Sequence, residues 1–305
     1  MTLSKFEKLT KKIYLQQHRT YFKTNAYKRF VETYSNPSSF GLKRKHFINA
    51  KVVDLGCGST GYLQKAMENL NCSSVTCCDL GQKYITDLKK FEKKYIKKKN
   101  FLKYKSQNVK KLDFDDNSFD IVFHNGVTCH LKNLSSMKKS FLEAQRICKN
   151  NGYIWIYAGV EKRNAIIDEF FIPSMRKAYL ENRLFKKFIN NLGVKTIKYF
   201  LNYYKKKLNN KDFNEVKKFI DKYITIETLV FFQNSIQVPY ENSTLISYDF
   251  LKKALNKCSL KRTSPLIFKR KDIRKFLQPF HSGNDIISKI FYDKHLHVLA
   301  KKNIS

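Results

Sequence analysis

The chain has 305 residues, of which 42% are hydrophobic and 14% aromatic, so it is long and apolar enough to bury a sizeable core and is not a disordered polymer. Its formal charge is +35, from 60 Lys+Arg against 25 Asp+Glu, which leaves two explanations: a polyanionic partner such as RNA or an acidic membrane surface, or drift in composition. Drift is the simpler account. Lys, Asn, Ile, Phe and Tyr are abundant together, and lysine far outnumbers arginine, whose fork specific nucleic-acid sites use.

In chain order, residues 1–50 read as helical and basic, with Phe6, Leu9, Ile13 and Tyr14, then Tyr27, Phe30, Val31 and Tyr34, at helical spacing. Asn36-Pro37-Ser38-Ser39 interrupts the pattern. A first strand is predicted over 51–55 and its helix over Ser59 to Leu70. A second strand covers Ser74 to Cys78, followed by a basic amphipathic helix marked by Ile85, Leu88, Phe91, Tyr95 and Ile96. The third strand is Phe101 to Lys105 and the fourth Phe119 to His124. A helix is predicted over Met137 to Lys149, ended by Asn150-Asn151-Gly152, with a fifth strand over Tyr153 to Tyr157. Alternation at this spacing implies an α/β fold with a doubly wound, mostly parallel sheet.

The alternation stops between 160 and 243, where helical patterns (Ile166 to Phe188, Val194 to Leu208, Phe213 to Ile224) dominate, with Pro173 and Gly193 as punctuation. A helix over Tyr248 to Lys257, a strand near Lys261 to Phe268 and a final strand over His295 to Ala300 bring the expected strands to seven. The domain reading is therefore a helical lid segment over 1–50, a core over 51–159 and 244–305, and an inserted helical cap over 160–243. Such a cap would close over the strand ends where ligands bind in these sheets.

The seven cysteines, Cys57, Cys72, Cys77, Cys78, Cys129, Cys148 and Cys258, form no CxxC pair and several sit in apolar runs, as expected of reduced thiols in a cytoplasmic protein. The basic stretch from Met1 to His18 has no apolar segment of signal-peptide type. No transmembrane segment is expected, because no window reaches the roughly 18 apolar residues a spanning helix needs.

The chemistry concentrates in Val52-Val53-Asp54-Leu55-Gly56-Cys57-Gly58-Ser59-Thr60-Gly61-Tyr62, a strand, a glycine turn and a helix start. Gly56, Gly58 and Gly61 let a ligand approach the backbone and spell a motif that also fits dinucleotide enzymes. Asp54 narrows the choice. Dinucleotide-binding strands carry an apolar residue there, whereas an acid suits a ligand with an ammonium group and a cationic centre; an acid capping the turn's own amides is the alternative. Asp79, at the end of the second strand, is placed to accept ribose hydroxyls, and Leu80 to pack on an adenine face.

These features, with the Leu112 to Asp120 run and Asn125-Gly126-Val127-Thr128-Cys129-His130-Leu131, resemble class I S-adenosylmethionine-dependent methyltransferases over residues 50–158, nearest the small-molecule branch that includes the quinone methylases. The resemblance implies a Rossmann-like fold and S-adenosylmethionine as cofactor. It implies that Asp54, Gly56 and Gly58 hold the methionine moiety, that Asp79 takes the ribose, and that Asn125 and Gly126 line the floor under the sulfonium. Asn108 and Val109 would edge the adenine, although the family usually has an acid where this chain has Asn108.

His130 is the candidate general base, since its intrinsic pKa suits the role, with a loop-capping histidine as the equal alternative. His124 is expected to face the sheet's packing. Cys129 lacks the preceding proline of a cysteine nucleophile, and His295-x-His297 reads as a surface pair rather than a metal site. The chain also lacks the Asn/Asp-Pro-Pro-aromatic sequence of amino-adenine methylases. The expected acceptor is a small molecule or metabolite, with tRNA or rRNA as the runner-up and an inactive interaction module as the third reading.

Overall fold

The computed structural model describes residues 26–159, 172–192, 194–223, 229, 233, 236–237, 246–263 and 295–304. The chain divides into two compact units, one formed by residues 27–165 and 240–305 and the other by 1–26 and 166–239. The predicted apolar stripe at Phe6 to Tyr14 lies outside the described residues.

The first unit begins with α1 (Ala26–Tyr34) and two short 3-10 turns, Pro37–Phe40 and Arg44–His46. It continues through β1 (Lys51–Leu55), α2 (Tyr62–Asn69), β2 (Ser74–Asp79), α3 (Gln82–Tyr95), β3 (Leu102–Ser106), β4 (Phe119–Asn125), α4 (Leu134–Ile147) and β5 (Cys148–Gly159). The second unit supplies α5 (Ile172–Glu181), α6 (Arg183–Asn191), α7 (Val194–Lys205) and α8 (Asn210–Tyr223). The chain then returns to the sheet with α9 (Tyr248–Ala254), β6 (Cys258–Arg262) and β7 (His295–Lys302).

The strands form one seven-stranded sheet in the order β3-β2-β1-β4-β5-β7-β6. Its pairings are parallel except for those of β7, which runs antiparallel to β5 and β6. The chain moves outward from β1 to β3 and then jumps back to β4, so the strand order reverses between β1 and β4. A crevice at that switch point, beyond the carboxyl ends of the strands, is where open α/β sheets bind ligands.

Because side chains alternate along a strand, the register sorts them onto two faces. One carries Val53 and Leu55 of β1, Val122 and His124 of β4, Ile154 and Ile156 of β5 and Val298 and Ala300 of β7. It buries a continuous apolar cluster with Met137, Phe141, Ala144 and Ile147 of α4 and with Leu251, Ala254 and Leu255. The other carries Val52, Asp54, Phe123, Asn125, Trp155, Tyr157 and His297. Phe40 seals its middle, its ring edge-on to Trp155 at 5.3 Å and to Phe123 at 5.0 Å.

Three local readings change. Asn150-Asn151-Gly152 does not terminate the preceding helix, which stops at Ile147. It lies within β5, where the register against β4 shifts between Phe119 and Ile121. Asn151 takes φ +62°, a left-handed conformation asparagine tolerates, and this serves an excursion in the strand as well as it serves a helix cap. The single helix expected over Ile166 to Phe188 breaks at Asn182, whose side chain accepts a hydrogen bond from the Phe185 amide at 2.9 Å and so caps α6. The strand expected near Lys261 to Phe268 is β6, Cys258–Arg262, and residues 264–268 lie outside the described ones.

Candidate active site

The glycine turn after β1 is held by packing as much as by its open backbone. Gly56 has φ +71° and its amide donates to the Cys78 carbonyl at 2.7 Å; a Cβ there would sit 2.6 Å from Val127 Cγ2. Gly61 has φ +66°, and a Cβ would meet the Phe91 ring of α3 at 2.4 Å. Gly61 therefore lets α2 start close against α3, a reason that concerns the fold rather than a ligand's approach.

Asp79 ties the turn to β2. Its Oδ2 accepts from the Gly58 amide at 3.0 Å and its Oδ1 from the Gly81 amide at 2.9 Å. The Asp79 carbonyl accepts from the Gln107 amide at 3.2 Å, which brings the Asn108–Val109 turn beside it. Val109 is buried, and the Asn108 side-chain oxygen accepts from the Lys110 amide at 3.0 Å. Asn108 thus spends its acceptor on its own turn. Leu80 is 41% exposed, open to a flat apolar ligand surface.

Asp54 is the electrostatic centre of the site. The carboxylate is buried; its Oδ2 accepts from Gln64 Nε2 of α2 at 2.7 Å, while Oδ1 has no hydrogen-bond partner among the described residues. Loss of hydration pushes its pKa up to about 7; the Gln64 hydrogen bond opposes the rise and the Asp79 charge adds to it. A buried acid in this state is stabilised by a cation placed against it.

Asn125 and Gly126 stand at the end of the neighbouring strand. The Gly126 amide donates to the Tyr157 carbonyl at 3.0 Å, and the Asn125 side chain shares a hydrogen bond with the buried Tyr34 hydroxyl, which also bonds to Tyr62. The Tyr34 and Tyr62 rings stack at 5.2 Å, so α1 and α2 meet over this end of the sheet. Beyond Gly126, the 3-10 turn Thr128–His130 is closed by the His130 amide donating to the Val127 carbonyl at 3.0 Å. Burial of the His130 ring pushes its pKa down to about 4, so the imidazole is neutral at pH 7.

The structure therefore joins Asp54, Gly56, Gly58, Gly61 and Asp79 through one turn, places Leu80, Asn108 and Val109 along its β2 side, and puts Asn125, Gly126 and His130 on the β4 side. Sequence reasoning missed Gln64, Tyr34 and Tyr62. Gln64 was legible as a polar residue beside Leu63 and Ala66 on the buried side of α2; Tyr34 looked like one more member of an aromatic stripe. His297 is corrected outright. It is not a surface residue but is 7% exposed, its ring 4.7 Å from Tyr157 and 5.9 Å from Trp155. His124 packs as expected, with Nε2 3.1 Å from Ser140 Oγ and its ring 4.7 Å from Phe141. Cys57, within the turn, is a buried free thiol hydrogen-bonded to the Cys77 side chain, and that contact with its burial holds its pKa well above the ordinary value, which keeps it protonated and unreactive.

Residues 53–156 match a family model described as a methyltransferase domain. Among solved structures, the PKMT2 protein of Rickettsia typhi in complex with AdoHcy is 18% identical, with 88% of this chain and 54% of that chain covered and a TM-score of 0.53. The PH0226 protein of Pyrococcus horikoshii is 23% identical over 36% of this chain and 50% of its own, with a TM-score of 0.33. An S-adenosylmethionine dependent methyltransferase of Mesorhizobium loti is 18% identical over 38% of this chain and 49% of its own, also with a TM-score of 0.33. The chain thus spans about half the length of these last two proteins. No curated protein sequence matches it. The motif order, the switch-point geometry and the family match agree on a methyltransferase domain over residues 53–156, consistent with the class I S-adenosylmethionine-dependent kind.

Proposed function

We propose that the protein moves the methyl group of S-adenosylmethionine to a small-molecule or metabolite acceptor, in the manner of the quinone-methylase-like branch. The observation that carries the cofactor assignment is Oδ1 of buried Asp54, without a hydrogen-bond partner among the described residues and beside a glycine turn at the switch point. In this reading Asp54 takes the ammonium group, and the backbone at Gly56 and Gly58 cradles the methionine end. Asp79, held against the turn by the Gly58 and Gly81 amides, takes the ribose hydroxyls. Leu80, Asn108 and Val109 edge the adenine, and Asn125 and Gly126 lie under the sulfonium.

When bound, S-adenosylmethionine supplies an electrophilic methyl group on its sulfonium. The chain contributes alignment. Where the acceptor must lose a proton, neutral His130 receives it. Tyr34 is buried against Asn125, and Tyr157 lies beside Asn125 across the strands, an enclosed setting that favours a narrow acceptor. The division of labour belongs to the same proposal: residues 51–159 and 244–305 handle the cofactor, and 1–50 and 160–243 handle the acceptor. Free thiols at Cys57, Cys72, Cys77, Cys78, Cys148 and Cys258 support a reducing, cytoplasmic setting.

Calorimetry with S-adenosylhomocysteine tests the cofactor site. The wild type should bind, and Asp79→Ala should lose ~1–3 kcal/mol of binding free energy. An unchanged affinity in that variant rejects the ribose assignment, and no binding by the wild type rejects the function.

An RNA acceptor is the second reading. Tyr199 and Tyr203 of α7 are 67% and 43% exposed among Lys198, Lys205, Lys206 and Lys207, and Lys207 Nζ lies 4.6 Å from the Tyr203 ring centroid. Basic and aromatic groups so interleaved suit a single-stranded nucleic acid. Steeply salt-dependent tRNA binding, lost on Tyr199→Ala and Tyr203→Ala, would favour it.

A further inference from the structure

Helices α5 and α6 fold back on each other: Tyr179 Oη donates to Asn190 Oδ1 at 2.9 Å, and Lys186 Nζ lies 5.6 Å from the Tyr179 ring centroid. The α6 sequence, Arg-Leu-Phe-Lys-Lys-Phe-Ile-Asn-Asn, places Leu184, Phe185, Phe188 and Ile189 in one apolar stripe. Among the described residues, half of that stripe is buried and half exposed. Ile189 is fully buried, its carbonyl accepting from Gln233 Nε2 at 2.8 Å, and Phe185 is half-buried. Leu184 is 77% exposed and Phe188 54%, and Leu180 of α5 adds a third large apolar side chain at 75%.

The polar side of the same helix is cationic. Arg183, Lys186 and Lys187 are exposed, α6 contains no acid, and the nearest one in sequence is Glu181. Among the described residues, these three cations line an open concavity of about 560 Å³ together with Leu184, Asn190 and Asn191.

We propose that this face docks the protein on an anionic lipid surface, with Leu184 and Phe188 entering the acyl boundary and Arg183, Lys186 and Lys187 meeting headgroup phosphates. The proposal goes beyond the methyl-transfer reading and holds whatever the acceptor. An exposed apolar ridge bordered by lysine and arginine is the composition of a helix lying in the plane of a membrane interface, and clustered cations add attraction to anionic headgroups. Charge decides against a second copy, and composition against RNA. Two copies of this face would bring their own cations together, and an RNA strand would find two exposed leucines, Leu180 and Leu184, beside Phe188 where bases stack on aromatic rings. Crossing the bilayer is not required, and no described helix is long and apolar enough to do so.

The test is co-sedimentation of the full chain with vesicles of phosphatidylglycerol and phosphatidylcholine in equal parts, against vesicles of phosphatidylcholine alone. The protein should sediment with the mixed vesicles only, and less as salt rises. L184S/F188S should weaken vesicle binding roughly tenfold or more, with melting temperature and S-adenosylhomocysteine affinity unchanged. K186E/K187E should abolish it. In F188W, the new indole should shift its emission to the blue when mixed vesicles are added, a positive signal from a residue that the fold does not bury. Failure to sediment with mixed vesicles overturns the proposal. So does undiminished sedimentation of both double variants, an unshifted F188W emission, or binding of single-stranded RNA in place of vesicles.

Discussion

From β4, Val122 and His124 go to one face of the sheet, and Phe123 and Asn125 to the other. The first face is closed. Its cluster with α4 and α9 is continuously apolar, and a polar guest on it, His124, pairs with Ser140 and has its pKa pushed down to about 4 by burial, so it carries no charge at neutral pH. The second is closed in its middle by Phe40, Phe123 and Trp155. At the carboxyl ends of β1, β4 and β5 it gathers Asp54, Asn125 and Tyr157, beside His297 near the amino end of antiparallel β7, with Gln64, Tyr34 and Tyr62 arriving from the helices. One sheet thus devotes one face to stability and the rim of the other to chemistry. The buried, imperfectly satisfied acid on that rim is a cost that an apolar core would not carry.

The largest break in this comparison should come from the closed face. Phe141→Ala removes a fully buried ring from the α4 cluster and should cost ~3–5 kcal/mol in chemical denaturation, with cofactor affinity of the folded fraction unchanged. The rim should respond in the opposite way. His130→Ala should fold normally and lose turnover by about 10²-fold if the acceptor must be deprotonated. Because its ring stays neutral down to about pH 4, the wild-type rate at saturating cofactor should be flat from pH 8 to roughly pH 5; a break near the ordinary histidine value under saturation would show that another group is the base.

Asp54 gives the sign test for pH. Its folded pKa, about 7, lies above its ordinary value of 3.8, so the folded state retains a proton that the unfolded state has lost between those values. Its contribution therefore destabilises the unliganded protein progressively as pH rises from about 4 to about 7, and fully above that. Asp54→Asn should raise stability at pH 8 by about 2 kcal/mol, the relief of a desolvated charge less the burial of an amide donor, while weakening S-adenosylmethionine binding. Wild-type cofactor affinity should increase as pH passes upward through 7, where the carboxylate ionises. The smallest effect belongs to Tyr34→Phe, which deletes a hydroxyl shared with Asn125 and Tyr62 and should cost ~1 kcal/mol of stability.

Local patterns carried far in the first unit. Lys51 to Leu55 forms β1 within the expected bounds, and Asp54, Gly56, Gly58 and Asp79 meet because a strand, a turn and a neighbouring strand bring them together over short range. Where the pattern misled, a residue had two legitimate conformational uses. Asn151 serves a strand excursion as readily as a helix end, and Asn182 can sit inside a helical pattern or cap a new helix.

The sequence by itself determined the alternating architecture, the glycine turn and the identity of its acid, because each depends on spacing along a few neighbouring residues. Only the tertiary structure decided that Gly61 answers to Phe91, that Gln64 binds one oxygen of Asp54 while the other has no partner among the described residues, and that Tyr34 belongs to Asn125. It also moved His297 from an imagined surface to the packing around Tyr157. The physical reason is common to all four. A contact between residues far apart in the chain leaves no period in the sequence, and the burial that shifts a pKa is a property of the assembled neighbours rather than of the residue.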